Sequence, residues 1–337
     1  MAIMSIADAL RTAIKEEMRR DPAVYCMGED EDIPGGMGGA FTVTKGIRDE
    51  FGAERCLNTP IAEIAISGMA VGSAMIGMRP VADIMYNDFL YCMMDQLANQ
   101  AAKMCYMSGG KVSVPMVMRC PAGASNYGAQ HGQSIESLFT HIPGLKIICP
   151  STAYDAKGLL KQAIRDDNPV LCIEHKLLYG SKRKMKGGFD TKGEVPEDDY
   201  TIPFGQAAIR REGKDVTIVA NLLMSYRAQI AAEELAKDGI SCEIIDPRTL
   251  IPFDYETVVN SLKKTGKLMI VHEDNYNLGW GAQLASYIAE NEIFLLDAPI
   301  KRVASYDVPM PYSVPLEDYV VPSVERIKKA IKELVEL

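Results

Sequence analysis

Short apolar runs separated by amphipathic helical stretches recur along this chain, and that rhythm limits its fold more than any other feature. Runs of strand length stand at 24–27, 81–85, 114–119, 146–149 and 170–174, with helical periodicity at 88–107 and 154–165 between several of them. A strand covered on both faces reads as a continuous apolar run, and a helical crossover joins it to a parallel neighbour. The pattern predicts a doubly wound, largely parallel α/β sheet with helices on both faces. Ahead of it, Ser5 and Asp8 have the spacing of a capping box. Ile6, Leu10, Ile14 and Met18 then mark one face of a helix that ends before Asp21-Pro22.

Around 180–205 the composition changes. Lys182-Arg183-Lys184, two adjacent glycines, Pro196, Pro203 and the acidic Glu197-Asp198-Asp199 follow one another with little periodicity. Such a stretch reads as an interdomain linker. A second alternating series follows, with strands expected at 216–220, 242–245, 268–272 and 301–304 and helices at 226–237, 282–290 and 323–337. The expected division is a domain at 1–185, a linker at 186–205 and a smaller α/β domain at 206–337. A length of 337 residues suits two domains.

With 47% hydrophobic and 24% charged residues the chain has the composition of a soluble globular protein. Its formal net charge of -9 leaves no basic stripe to replace counterions on a phosphate backbone, which argues against nucleic acid. The cysteines at 26, 56, 92, 105, 120, 149, 172 and 242 lie singly, without C-x-x-C pairs or zinc spacing. They are expected as reduced, buried thiols of a cytoplasmic protein. Residues 1–20 show no signal peptide. The most apolar stretch, 64–78, is too short to span a bilayer and, being rich in Gly and Ala, reads as a buried helix.

The segment from Thr59 to Gly72 is the most informative. Glu63 is the only charged residue between Arg55 and Arg79. A carboxylate in such company is costly unless paired or protonated, which makes it a functional candidate. A Glu stabilised at a helix N-terminus explains it equally well. Gly68 and Gly72, four apart, share a helix face and allow another backbone close, through tight packing or otherwise.

Glu63, four residues, Gly68, the apolar Met69, two residues and Gly72 resemble the cofactor-activating motif of thiamine-diphosphate enzymes. Seven further strings extend the resemblance over essentially the whole chain. They are Gly28-Glu29-Asp30, Thr59-Pro60-Ile61, Tyr106-Met107-Ser108-Gly109-Gly110, Gln130-His131-Gly132-Gln133-Ser134, His141-Ile142-Pro143-Gly144-Leu145-Lys146, Asp155-Ala156-Lys157-Gly158-Leu159 and Gly193-Glu194-Val195-Pro196. Together they narrow it to beta subunits of the 2-oxoacid and acetoin dehydrogenases. The implied fold is a pyrimidine-type thiamine-diphosphate-binding domain followed by a transketolase C-terminal-like domain.

By that resemblance the Glu63 carboxyl hydrogen-bonds N1′ of the aminopyrimidine and favours the imino tautomer, whose nitrogen removes the thiazolium C2 proton. Phe89 stacks on the aminopyrimidine, and Ile61 and Met85 line the same pocket, although all three would serve as ordinary core. Glu29 is implied as an acidic neighbour of the cofactor; by itself the acidic run 29–32 reads as a solvated loop. His131 is implied as the catalytic histidine that handles substrate or a lipoyl group. Gly132 departs from the family, which usually has Ser there. His272 borders the site or is structural. Ala163, Ile164, Asp166 and Asn168 match a turn that binds potassium through backbone oxygens in some relatives; a helix-ending turn before Pro169 explains the same residues.

The diphosphate-and-magnesium signature of such enzymes, Gly-Asp-Gly followed by Asn-Asn, does not occur in this sequence. The resemblance therefore implies an alpha subunit that holds Mg2+, an α2β2 heterotetramer, and a lipoyl acyltransferase core that receives the acyl group. Acetoin, pyruvate and branched-chain 2-oxo acids all stand as substrates, with Asn87-Asp88-Phe89 leaning toward acetoin. Half of a split transketolase would need Arg/His clusters for a sugar phosphate. A scaffold without catalysis would not need both Glu63 and His131.

Overall fold

The computed structural model describes residues 1–31, 38–180 and 191–337. The basic run at 182–184 and the two adjacent glycines after it lie outside the described residues. Two compact units emerge: Met1–Ala122 with Phe139–Phe204, and Gly123–Leu138 with Gly205–Leu337.

In the first unit β1 (Ala2–Met4) pairs antiparallel with β8 (Gly193–Val195). The main strands are β2 (Val24–Glu29), β3 (Cys56–Thr59), β4 (Arg79–Asp83), β5 (Val117–Ala122), β6 (Lys146–Ile148) and β7 (Val170–His175). They run in the order β6-β7-β5-β4-β2-β3, each neighbouring pair parallel. β5 starts three residues later than the apolar run suggests. Pro115 has no N–H to give a ladder, and the Met116 amide turns back onto the Val114 carbonyl at 2.8 Å.

The helix α1 (Ile6–Arg20) is capped as expected: the Ser5 hydroxyl accepts from the Asp8 amide at 3.1 Å. It packs on α6 (Ala153–Arg165), which Thr152 caps in the same way. Charges cross this contact. Lys157 reaches Glu16 at 2.9 Å, and Arg165 reaches Glu17 at 2.6 Å and Asp199 at 2.7 Å. A short helix, α2, covers Ile47–Phe51. The stretch expected as one helix over 88–107 is helical but unevenly wound: a 3-10 segment Asn87–Met93, a π segment Asp95–Ala101, then α4 (Ala102–Met107). Of the expected linker, the described residues 191–204 pack within this unit. Val195 and Ile202 are buried, and the Ile202 amide donates to the Gly158 carbonyl at 3.1 Å.

Six strands follow in the second unit: β9 (Ala208–Arg211), β10 (Val216–Ala220), β11 (Cys242–Asp246), β12 (Thr249–Ile251), β13 (Leu268–Asn275) and β14 (Lys301–Ser305). Five of these form a sheet in the order β14-β13-β10-β11-β9, parallel except for β9. Its helices are α7 (Leu222–Ala236), α8 (Tyr255–Thr265), α9 (Trp280–Asn291), α10 (Val314–Val320) and α11 (Val324–Val335), and α5 (Glu136–Thr140) straddles the unit boundary at 138. α8 escapes the sequence reading, although Asp254 caps it by accepting from the Thr257 amide at 3.0 Å.

No helix among the described residues is long and apolar enough to cross a membrane. The apolar stretch 64–78 falls mainly on α3 (Glu63–Met75), and only one side of that helix is buried. The expectation of a fully buried helix is thus corrected. Two cysteines, Cys92 and Cys105, are likewise exposed; the other six are buried, and all eight are free.

Gly158 gives a direct test of the α6 packing. A Cβ there would fall 2.6 Å from Ile202 Cγ1 and 2.8 Å from Tyr200 Cε2. Ala favours a helix over Gly by about 1 kcal/mol, whereas overpacking costs roughly 1–3 kcal/mol. Gly158→Ala is expected to lower the melting temperature by a few degrees in a circular-dichroism melt. An unchanged or raised melting temperature would show that the 200–202 segment yields.

Candidate active site

Parallel strands collect their carboxyl ends on one edge of a sheet, where ligands of open α/β folds bind. Glu29 ends β2 and Thr59 ends β3, and the register places them side by side. The chain then passes through Pro60, Ile61 and Ala62 into Glu63, the first residue of α3. Ile61 is 79% exposed despite being apolar, and Glu63 is half-buried. Burial first, then the charges of Glu63, Asp83 and Asp30, push the Glu29 carboxyl up to about 7. Glu29 Oε1 and Thr59 Oγ1 are buried without a hydrogen-bond partner among the described residues. A ligand could complete these groups with amino protons for them to accept, or with ring nitrogens that accept from the Thr59 hydroxyl or a protonated Glu29.

Met85 follows the end of β4, and its Cε lies 3.0 Å from where a Cβ of Gly39 would stand. Gly39 has φ +68°, so glycine suits the position both sterically and conformationally. Phe89 comes from the 3-10 segment after β4 and is half-buried. The structure therefore brings Glu29, Ile61 and Glu63 together at the ends of β2 and β3, and sets Met85 beside the carboxylates at the end of β4.

Sequence reasoning missed the layer beneath. Arg119 on β5 is 1% exposed and forks onto Glu174 of β7, Nε–Oε1 at 2.9 Å and Nη2–Oε2 at 2.8 Å. Its Nη1 reaches Asp83 Oδ2 of β4 at 3.1 Å. The Tyr179 hydroxyl also donates to Glu174. Glu31 faces Asp83, and burial, followed by the Asp83 charge, pushes its carboxyl well above the usual range. For Arg119 and Asp83 the signal was present: each is a lone charge in an apolar strand run, the criterion that singled out Glu63.

His131 belongs to the second unit, within Gly123–Leu138, and is half-exposed. The structure accounts for its neighbour Gly132. A Cβ there would stand 2.7 Å from the Gly128 carbonyl oxygen and 3.0 Å from Met310 Cγ, so the Ser usual in the family has no room.

The turn at 163–168 is tied up internally. Arg79 Nη1 donates to the Ile164 carbonyl at 3.0 Å and the Asp166 carbonyl at 3.1 Å. The Ala163 carbonyl accepts from the Asp166 amide at 3.3 Å, and the Asn168 side chain donates to Asp166 Oδ1 at 2.8 Å. A guanidinium thus already supplies positive charge to two of the carbonyls matched to potassium, and these residues form no open oxygen cage.

His272 is structural. It sits inside β13, fully buried, with Nδ1–H donating to the Asp274 carbonyl at 3.1 Å. Cβ atoms on Gly279 or Gly281 would fall 2.5 Å and 2.7 Å from its ring. Burial holds its pKa down at about 4, against 6.5. A lowered histidine pKa means that the unfolded chain binds more protons between these values. The contribution is complete above pH 6.5 and is lost as pH falls toward 4, amounting to about 3 kcal/mol. Denaturant titrations should therefore show wild type losing about that much more stability than His272→Leu over this interval. Parallel pH profiles would contradict the assignment.

Comparison with known proteins agrees with this geometry. The transketolase pyrimidine-binding domain family matches residues 3–182, and the transketolase C-terminal domain family matches 205–327. The 2-oxoisovalerate dehydrogenase subunit beta of Bacillus subtilis is 45% identical, covering 100% of both chains. The acetoin:2,6-dichlorophenolindophenol oxidoreductase subunit beta of Cupriavidus necator is 46% identical over 98% of this chain and 97% of its own. The pyruvate dehydrogenase E1 component subunit beta of Rhizobium meliloti is 44% identical over 98% of this chain and 70% of its own. A solved split-gene transketolase, an inactive beta4 tetramer, shares the fold with a TM-score of 0.75 at 22% identity, covering 100% of this chain and 99% of that one. This chain belongs to the family of beta subunits of the thiamine-diphosphate-dependent 2-oxoacid and acetoin dehydrogenases.

Proposed function

We infer that the chain supplies the cofactor-activating half of a dehydrogenase that cleaves acetoin or oxidatively decarboxylates a 2-oxo acid such as pyruvate. The observation that carries this reading is the placement of Glu63 on the first turn of α3 beside the half-buried Glu29, whose carboxyl is pushed up to about 7 and whose Oε1 is buried without a partner among the described residues. Thiamine diphosphate, when bound, supplies the thiazolium carbon that takes up the acyl unit. The Glu63 carboxyl would share a proton with N1′ of the aminopyrimidine. Ile61, Met85 and Phe89 would give the ring an apolar bed, and Glu29 would accept from its polar edge. His131 would move a proton on the substrate or on the incoming lipoyl group, whose disulfide takes up the two electrons and leaves as a thiol. The diphosphate and its Mg2+ fall to the alpha subunit, since the strings that hold them are missing here. A potassium ion in the 163–168 turn would share the Ile164 and Asp166 carbonyls with Arg79, and no step passes through it.

The partner's contact face is written on α3. Gly68 has only Gln96 Cγ near a virtual Cβ, at 3.9 Å, and Gly72 has nothing within 4 Å, so packing within this chain requires neither glycine. Around them Ile61, Ile64, Met69, Met75 and Ile76 are exposed, Ile76 by 83%. A contiguous apolar face with small residues at helical spacing suits a second helix at close approach. The reading places the alpha subunit there, in an α2β2 assembly that delivers the acyl group to a lipoyl acyltransferase core.

Purification of the chain with its alpha partner allows a direct assay: thiamine-diphosphate-dependent dye reduction with acetoin, pyruvate and branched-chain 2-oxo acids in parallel. Turnover of one of them is expected, and Glu63→Gln should lower it about 100-fold or more. Unchanged turnover would remove Glu63 from the mechanism. Ketol transfer without dye reduction would favour the split-transketolase reading instead. Gly72→Leu should leave the melting temperature of the isolated chain equal to or slightly above wild type and abolish co-purification with the alpha subunit. Retention of the partner would move the interface off α3.

A further inference from the structure

The loop bearing His131 is held in an unusual way. From Gly123 to Ile135 it contains no strand or helix, and a structureless connection of that length is generally either functional or disordered. Here both ends are tethered by side-chain carboxylates rather than by a backbone ladder. At the near end, the Ala124 amide donates to Glu273 Oε1 at 2.5 Å, and the Asn126 amide donates to Glu317 Oε2 at 2.8 Å. At the far end, the Ser137 amide donates to Asp274 Oδ2 at 3.3 Å, and its hydroxyl donates to the same oxygen. Glu273 and Asp274 are consecutive residues of β13, Glu317 lies on α10, and all three are buried.

Further features fix the loop between its tethers. The Gly123 amide closes its neck on the Gln133 carbonyl at 2.9 Å. Gly128 and Gly132 rest against Tyr312 and Met310 so closely that a Cβ would stand 3.4 Å and 3.0 Å from their side chains. Asn126, Tyr127, Ala129 and Gln130 are exposed, and His131 follows them. The buried Glu136 lies within electrostatic reach of Asp274 and Glu273, and the guanidinium of Arg227 within reach of Glu273 and Glu317. Buried ionised groups are costly as mere packing and are strong, directional acceptors of backbone N–H groups.

We propose that Glu273, Asp274 and Glu317 are positioning residues that clamp both ends of the 123–138 loop and thereby set the pose of His131. They touch no substrate; they act through the loop. The inference rests on the reading of His131 as catalytic, and its test separates the two.

In the assembled complex with its alpha subunit, amide hydrogen exchange over 123–138 reports the clamp directly, and steady-state turnover reports its use. Glu273→Met removes the acceptor at similar volume, and Glu273→Gln retains a neutral one. With Met, exchange in the loop should rise tenfold or more while β10 stays protected. The kcat should fall about tenfold with KM within twofold, and Gln should restore most of both. Adding His131→Ala to Glu273→Met should cost no more than His131→Ala alone. Loop exchange equal to wild type overturns the proposal, as does faster exchange with unchanged kcat. Full turnover by His131→Ala alone would instead sink the catalytic role of the histidine, leaving loop exchange to decide the clamp. Should Glu273→Met fail to fold, Glu317→Met, which removes the acceptor of the Asn126 amide from a separate helix, is read by the same measurements.

Discussion

The first unit is organised around one buried guanidinium. Arg119 stands on β5 and binds carboxylates from the strands on either side, Asp83 on β4 and Glu174 on β7. A buried charge persists only where its partners meet it with good geometry, and removing one partner from such a group costs about 3–5 kcal/mol. The arrangement fixes strand order and register at the centre of the sheet. It also leaves an excess of acid at the carboxyl edge, since Arg119 cannot neutralise two carboxylates and Glu31 as well. Burial first, and then this crowding of negative charge, raises the Glu31 and Glu29 carboxyls above the usual carboxylate range. The proton-rich floor of the candidate site thus follows from how the sheet is held together.

Much of this was legible in the sequence wherever one physical effect dominated. The strands at 216–220 and 170–174 were read almost to the residue, because a doubly covered strand must be apolar throughout. The Ser5 cap was read because its spacing has a single stereochemical use. β5 was misplaced because apolarity says nothing of hydrogen-bond donors, and Pro115 lacks one. The stretch 64–78 was read as a buried helix because apolar composition does not tell an exposed apolar face from one that meets the core. Gly132 was legible only as a departure from the family's Ser, and the Gly128 carbonyl and Met310 show why a glycine fits there. The clamp at Glu273, Asp274 and Glu317 was beyond reach, since its donors and acceptors lie up to 191 residues apart.

The two candidate groups sit on different kinds of support. Glu63 is carried by a strand end and the first turn of a helix, elements that the sheet register holds in place. His131 is carried by a loop, and loops owe their order to whatever grips their ends. A group that activates a cofactor tolerates little error in distance, whereas one that serves a substrate and an incoming carrier in turn benefits from a mount that can be adjusted.

The bare side of α3 has a consequence for the life of the chain before assembly. A surface with Ile61, Ile64, Met69 and Ile76 open to water is adhesive toward any apolar patch, including the same helix on another copy. An excess of this subunit over its partner would therefore be a hazard to the cell, prone to collect in off-pathway aggregates or to engage chaperones. Selection should consequently act on the ratio in which the two chains are made as much as on the residues that perform the chemistry.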